Sequence, residues 1–208
     1  MTRDSWRSKG PLFVVVVLAG IVVGLFASVF AVAGIALGLR DAVKPARAIA
    51  YVATRGTVVE SMRIVNGGPG HPDWPRYTNP FWSVHVGQTV VLRITSYDTG
   101  TAPLSGVQTM FDAVSGTVSG TESVDGKSIR SVPNTQIAHT FTIVGLGLNV
   151  PIPAAPAGGS VTVIARFIAQ HSGTFVWQCY APCGSGPNSM GGAMSVTSWM
   201  EGRVRVLA

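Results

Sequence analysis

The chain has 208 residues, of which 47% are apolar and only 12% are charged, against roughly 25% charged in an average soluble domain. Its formal net charge is +6, but the basic residues are scattered, whereas a nucleic-acid-binding surface needs a dense basic stripe. The composition therefore argues against nucleic acid as a partner. Abundant glycine and proline instead suit many turns between short strands.

A charge-free stretch covers residues 11–39, after a short N-terminal tail at residues 1–10. It is longer than the roughly 20 apolar residues that cross a bilayer and about twice as long as the apolar part of a cleaved signal peptide. We therefore predict one retained transmembrane helix at 11–39. Basic residues are balanced on its two sides, so charge alone does not orient it.

After a linker at residues 40–50, the pattern changes to short runs rich in β-branched residues, which predicts one domain over residues 51–208. We expect seven strands, at 57–65, 83–86, 89–95, 138–143, 160–167, 173–179 and 203–206. Short strands separated by Gly, Pro or Asn favour an all-β fold, an antiparallel β-sandwich.

Two connections, at 66–80 and 99–133, are longer than such a sandwich needs, and long loops are commonly functional or disordered. We predict that residues 99–133, dominated by Ser, Thr and Gly, form a partly ordered insertion. Four apolar residues are candidates for anchoring it to the sandwich: Leu104, Val107, Met110 and Phe111.

The candidate chemistry is concentrated in residues 177–190 (WQCYAPCGSGPNSM), which include both cysteines of the chain, Cys179 and Cys183. Thiolates and thioethers are soft ligands that select copper, so Met190 is a further candidate ligand and His139, on an upstream strand, supplies an imidazole. A short-range disulfide between the two cysteines is the alternative outside the cytoplasm. The other histidines, His71, His85 and His171, are predicted to be surface residues, and Met194 to be a packing residue.

The order of these ligands resembles subunit II of the haem-copper oxidases, whose cupredoxin domain carries the dinuclear CuA centre. Residues 138–153 (AHTFTIVGLGLNVPIP) resemble the segment around the family's first histidine ligand, and residues 173–184 resemble its last strand and cysteine loop. The resemblance implies a cupredoxin-like Greek-key sandwich with copper as cofactor. It assigns these residues as ligands, the alanine through its backbone carbonyl: His139, Cys179, Ala181, Cys183 and Met190.

The chain departs from the family's pattern at three places. The family's second histidine lies four residues after the second cysteine, where this chain has Pro187, which has no donor side chain. The acidic residue between the cysteines is replaced by Ala181. The stretch Ser96–Asp98 resembles the one that leads directly into the first histidine, but here nearly 40 residues intervene. The copper site is therefore expected to be CuA-like, and altered, incomplete or lost.

By this resemblance the protein is a single-pass cell-membrane protein with its C-terminal domain on the extracytoplasmic side. It would receive electrons from a donor protein or quinol and pass them to the haem-bearing catalytic subunit, without catalytic residues of its own. Two alternatives remain, a copper-free structural subunit of a quinol-type oxidase and a stand-alone membrane-anchored cupredoxin that carries electrons or copper. Hydrolase and kinase motifs are absent from the sequence.

Overall fold

The computed structural model describes residues 56–184 and 192–208. The described part contains eleven strands: β1 (Thr57–Asn66), β2 (Pro75–Tyr77), β3 (Phe81–His85), β4 (Thr89–Ser96), β5 (Glu122–Val124), β6 (Lys127–Ile129), β7 (Ile137–Ile143), β8 (Leu148–Pro153), β9 (Val161–Ile168), β10 (Gly173–Gln178) and β11 (Glu201–Leu207). It also contains four short 3-10 helices: η1 (Gly106–Asp112), η2 (Asn134–Gln136), η3 (Val144–Leu146) and η4 (Gly192–Ser195).

The predicted transmembrane helix at 11–39 and the linker at 40–50 lie outside the described residues. Within the part that the structure does describe, no helix has the length and apolar character needed to cross a bilayer.

The strands form two sheets. One has the order β2-β1-β4-β9-β5-β6 and the other has the order β3-β11-β10-β7-β8. Strand residues alternate between buried and exposed positions, as on β9, where Val163, Ala165 and Phe167 are buried and Arg166 is exposed. This period of two gives each sheet an apolar inner face. The mostly β structure with two mixed sheets matches the predicted cupredoxin-like β-sandwich.

The sandwich is not purely antiparallel, so the expectation on this point was wrong for two strand pairs. β1 runs parallel to β4, and β3 runs parallel to β11. A parallel pair needs a crossover connection. The chain supplies one by leaving the first sheet after β2, placing β3 in the second sheet and returning beside β1.

All seven predicted strands are present, but β2, β5, β6 and β8 were not predicted. β8 contains Pro151 and Pro153, which argue against a strand because proline cannot donate to a sheet. The structure accommodates them because β8 is an edge strand of its sheet. The other three have only three residues each, too few for a visible alternation.

The insertion at 99–133 is ordered and contributes η1, β5 and β6, and β5 extends the first sheet by pairing with β9. Of its four predicted anchors, Leu104 is buried and Phe111 packs partly against the core. Val107 and Met110 are 86% and 70% exposed, so they do not anchor the insertion. Both lie on η1, a short helix that has no buried residue.

β7 differs from the other strands because every one of its seven residues is buried. Ala138 forms a bulge in its pairing with β8, since the register shifts between Ile137 and His139. Bulges often re-aim a side chain next to a functional site. His139 is therefore set in a dry environment at an irregular point of the sheet.

Candidate metal centre

Three side chains with metal-binding atoms meet at one point of the described structure. The ligand atoms of His139, Cys179 and Cys183 all lie within 4.8 Å of one another. His139 and Cys179 are completely buried and Cys183 is 5% exposed. Five ligands were predicted from the sequence, and the fold thus brings the side chains of three of them together.

Two strands and one turn create this arrangement. His139 lies on β7, and Cys179 directly follows β10, with its N–H donating to the carbonyl of Met200 over 2.9 Å. The N–H of Cys183 donates to the carbonyl of Ala181 over 2.7 Å, which folds the loop back on itself. The three-residue spacing of the cysteines consequently places their sulfur atoms side by side.

The two cysteines are free, with their Sγ atoms 3.1 Å apart, whereas a disulfide bond measures about 2.05 Å. Burial opposes ionisation of Cys179, but the hydrogen bond with Cys183 and the neighbouring imidazole of His139 outweigh it and hold the pKa of Cys179 well below its usual range. The shared hydrogen bond with Cys179, together with burial, raises the pKa of Cys183 well above its usual range. The pair therefore releases one proton easily and retains the other.

His139 lies against Asp98, with 3.0 Å between Nε2 and a carboxylate oxygen. Burial opposes its protonation, but the neighbouring Asp98 and Cys179 outweigh burial and raise the pKa of His139 to about 9. Asp98 therefore pairs with Nε2, whereas Nδ1 has no hydrogen-bond partner in the described residues.

The unpartnered Nδ1 of His139 fits a metal site. Buried polar atoms are nearly always satisfied, because leaving one without a partner costs free energy. A metal ion held by this imidazole and the two sulfur atoms would satisfy a nitrogen that the protein leaves unpaired. The residues present therefore fit a thiolate-rich centre, of the kind that selects Cu(I) or zinc.

Asp98 was not identified as a site residue from the sequence. Its one signal was its position directly after a predicted strand, in the segment that resembles the family's approach to its first histidine. The insertion leaves and returns at the same place, because Ala102 N–H donates to the carbonyl of Ile137 over 2.7 Å. Asp98 and His139 thus become neighbours although about 40 residues separate them.

The remaining predicted ligands have different outcomes. The carbonyl oxygen of Ala181, a buried residue, lies 3.5 Å from the sulfur of Cys179, so it is adjacent to the cluster. Met190 lies outside the described residues, as does Pro187. Met194 is buried in the core, as predicted for a packing residue.

No second histidine joins the cluster among the described residues. His71 stacks on Trp74 with ring centroids 3.6 Å apart. His85 contacts the backbone of Ala208, and His171 borders a surface cavity. All three histidines are exposed, as predicted.

No family model matches the chain, and no curated protein matches it. Among solved structures it is similar to reduced rusticyanin, with 14% identity over 72% of this chain and 82% of that one and a TM-score of 0.34. Auracyanin A, a "blue" copper protein from Chloroflexus aurantiacus, has 16% identity over 73% and 99%, with a TM-score of 0.34. A chain of a heme-copper terminal oxidase dimer has 17% identity over 92% and 95%, with a TM-score of 0.31. These values are too low to indicate what this chain binds.

Proposed function

We propose that this protein is a copper-binding electron-transfer subunit, a subunit II-like component of a respiratory haem-copper terminal oxidase. One observation carries the proposal. The imidazole of His139 and the sulfur atoms of Cys179 and Cys183 converge within 4.8 Å in a buried cluster, with both cysteines free. Buried soft donors of this kind are typical of centres that hold copper.

Copper, when bound, would supply a one-electron carrier. The residues of the chain would hold it and limit its movement. Thr140 N–H lies 3.4 Å from the sulfur of Cys179 and favours the thiolate form needed for metal binding. Asp98 orients the imidazole of His139 through the ion pair at Nε2, as carboxylates commonly do for metal-bound histidines. Strands β7 and β10 supply a rigid scaffold, which suits a centre that exchanges electrons with little change of geometry.

The proposal extends to location and partners. The apolar stretch at 11–39 would anchor the protein in the cell membrane as a single helix, with the cupredoxin-like domain on the extracytoplasmic side. A donor protein or a quinol would supply electrons, and the haem-bearing catalytic subunit in the membrane would receive them. Oxygen chemistry belongs to that partner in this scheme.

The direct test is metal analysis of the purified full-length chain after anaerobic loading with Cu(I) or Cu(II), together with its optical and EPR spectra. We expect copper to bind stoichiometrically and to give thiolate-to-copper charge-transfer absorption. Parallel loading with zinc shows whether the site prefers copper. A chain that takes up no copper, or that keeps zinc in the presence of excess copper, would defeat the electron-transfer proposal.

Purification from native membranes in mild detergent distinguishes the alternatives. A subunit II-like protein is expected to co-purify with a haem protein and to contain copper. A copper-free structural subunit would co-purify with the haem protein but lack copper, an outcome that Pro187 at the family's second histidine position would explain. A stand-alone carrier would contain copper and purify without a haem partner.

A further inference from the structure

A chain of buried hydrogen bonds starts at the cysteine loop. The N–H of Tyr180, the residue after Cys179, donates to Oγ1 of Thr140 over 2.8 Å. Oγ1 of Thr140 lies 3.1 Å from Oγ1 of Thr142, which lies 2.6 Å from the side-chain oxygen of Asn149. The chain thus crosses from the cysteine loop through β7 to β8.

The chain continues from β8 into the insertion. The side-chain amide of Asn149 donates to the backbone carbonyls of Phe111 over 2.9 Å and Ala113 over 2.7 Å. Both acceptors belong to the insertion at 99–133. Because these two bonds use both amide hydrogens, they also fix which end of the Asn149 side chain faces Thr142.

The Thr142 hydroxyl is directed at two acceptors, Oγ1 of Thr140 and the side-chain oxygen of Asn149. A hydroxyl has one hydrogen, and the shorter contact, with Asn149, holds it more strongly. Oγ1 of Thr140 in turn accepts from the N–H of Tyr180. The Thr142 hydroxyl therefore joins the Asn149 side chain to the residue that contacts the cysteine loop.

Burial makes this chain costly to break. Thr140, Thr142 and Asn149 are 0%, 3% and 4% exposed. A buried polar group that loses its partner destabilises the fold by more than a typical hydrogen bond stabilises it. The hydrogen bonds therefore act as a connected unit rather than as independent contacts.

Thr140 contacts both Cys179 and the residue that follows it. Thr140 contacts the sulfur through its N–H over 3.4 Å and the following residue through its hydroxyl. The insertion makes a second contact with the loop, since the ring of Phe111 stacks on that of Tyr180 with centroids 4.4 Å apart. Both contacts act on Tyr180, which lies between the two cysteines.

We propose that the insertion at 99–133 positions the cysteine loop, with Asn149 as the positioning residue that transmits its docking to Tyr180 and Thr140. The insertion would keep the loop closed over the two sulfur atoms and fix their geometry. This closure of the cysteine loop is a property of the polypeptide, whether or not metal is present. Its consequence for copper rests on the proposed function.

The test measures alkylation of Cys179 and Cys183 by iodoacetamide in the metal-free full-length chain. Both thiols are buried, so alkylation requires the loop to open. Asn149→Leu keeps the approximate side-chain volume but interrupts the series of hydrogen bonds. The lost hydrogen bonds predict an alkylation rate about tenfold higher. Thr142→Val breaks the chain without touching the insertion and should raise the rate similarly, whereas Thr142→Ser keeps the hydroxyl and should restore the wild-type rate.

Asn134→Leu is the matched control. Asn134 also binds the insertion through its side chain, with bonds of 2.6 and 2.8 Å to the N–H and carbonyl of Leu104, but it lies outside the chain. The proposal expects a wild-type alkylation rate for this variant. An equal increase in Asn134→Leu, or no increase in Thr142→Val, would overturn the assignment of Asn149 as the residue that transmits the docking of the insertion. Thermal unfolding identifies a variant that does not fold. If Asn149→Leu does not fold, the alkylation rate of Thr142→Val tests the proposal in its place.

A second readout uses the copper-loaded chain. Asn149→Leu should keep the wild-type copper content but change the EPR hyperfine splitting and the reduction potential, because the sulfur geometry is less fixed. Unchanged spectra in a variant with faster alkylation would overturn the geometric part of the proposal. If no copper binds to any form, the proposed function fails, and the alkylation rates still decide the positioning role.

Discussion

The metal-site cluster and the β5 strand of the insertion each bury a titratable side chain, and the two groups behave in opposite ways. His139 is completely buried but lies beside Asp98 and Cys179, which raise its pKa to about 9 and favour its charged form. Glu122 is 2% exposed and neither of its carboxylate oxygens has a hydrogen-bond partner in the described residues. Burial raises the pKa of Glu122 to about 8 and favours its neutral form.

Burial therefore has different consequences for the protonation of His139 and of Glu122. Around His139 the fold supplies partners of opposite charge, so ionised groups persist in a dry site where a metal can replace a proton. Around Glu122 it supplies none, and desolvation alone determines the protonation state. The raised pKa of His139 comes from specific partners, whereas the raised pKa of Glu122 comes from desolvation and indicates a cost to stability.

The largest effect is expected from Glu122→Gln. The unfolded chain releases the Glu122 proton near pH 4.5 but the folded chain only near pH 8, so wild-type stability falls between these values and stays low above them. At about 1.4 kcal/mol per pKa unit, the loss is on the order of 5 kcal/mol. Urea unfolding from pH 4 to pH 9 should show this decline in the wild type relative to Glu122→Gln.

Asp73→Asn, at an exposed acid outside the insertion, controls for the loss of one negative charge. Its stability should follow the wild-type decline with pH. Parallel curves for the wild type and Glu122→Gln would show that Glu122 ionises freely and would remove one side of the comparison.

Cys179→Ser should have the next largest effect, on copper affinity. Replacing a residue that only hydrogen-bonds to a metal ligand already costs about 10–100-fold in metal affinity, so loss of a sulfur that binds the metal directly should cost at least about 100-fold. Competition with a Cu(I) chelator measures the change, and the unfolding midpoint of the metal-free protein checks the fold. Met194→Leu, at a buried sulfur outside the cluster, should bind copper as the wild type does. Equal affinities for Cys179→Ser and the wild type would place the copper elsewhere.

Asp98→Asn should weaken copper binding by about tenfold, because the imidazole of His139 loses the carboxylate that orients it. The same chelator competition measures this. Asp112→Asn, at an acid of the insertion, removes the same charge and should retain wild-type affinity. If the two variants are equally weakened, the effect is one of net charge, and Asp98 has no specific role beside His139.

The smallest change in affinity is expected from Pro187→His, which restores an imidazole at the family's second histidine position. We expect at most about a tenfold gain in copper affinity, together with a mixed-valence optical and EPR signal characteristic of a CuA-like pair. Pro187→Ala removes the proline without adding a donor and should lack this signal. An identical spectrum in both variants would indicate that the loop no longer resembles the family's site.

Much of the fold could be predicted because its strands have a local pattern. Runs of β-branched residues with period two identified β1, β4 and β9. This alternation is a property of neighbouring residues in one strand, so it is visible in the sequence. β8 was missed because its prolines are tolerated only at a sheet edge, and edge position depends on the whole topology. The two parallel pairs depend on the same long-range order.

The candidate site was predictable to a similar degree. The spacing of Cys179 and Cys183 and the context of His139 identified the cluster that the structure brings together. Asp98 and Asn149 were not identified, since an acid after a strand and an asparagine within one are common and carry no local signature. Their roles arise from contacts with residues distant in sequence.

The donor types, the short cysteine spacing and most of the strands can be predicted from the residues alone, since these depend on residue chemistry and on near neighbours along the chain. The same holds for Pro187, which supplies no side-chain ligand. The three-dimensional fold is needed to show that His139 meets the two cysteines, that Asp98 lies beside it and that the insertion contacts the loop. It also decided that His139 favours its charged form and Glu122 its neutral form, because electrostatic interactions depend on distance and burial rather than on position in the chain.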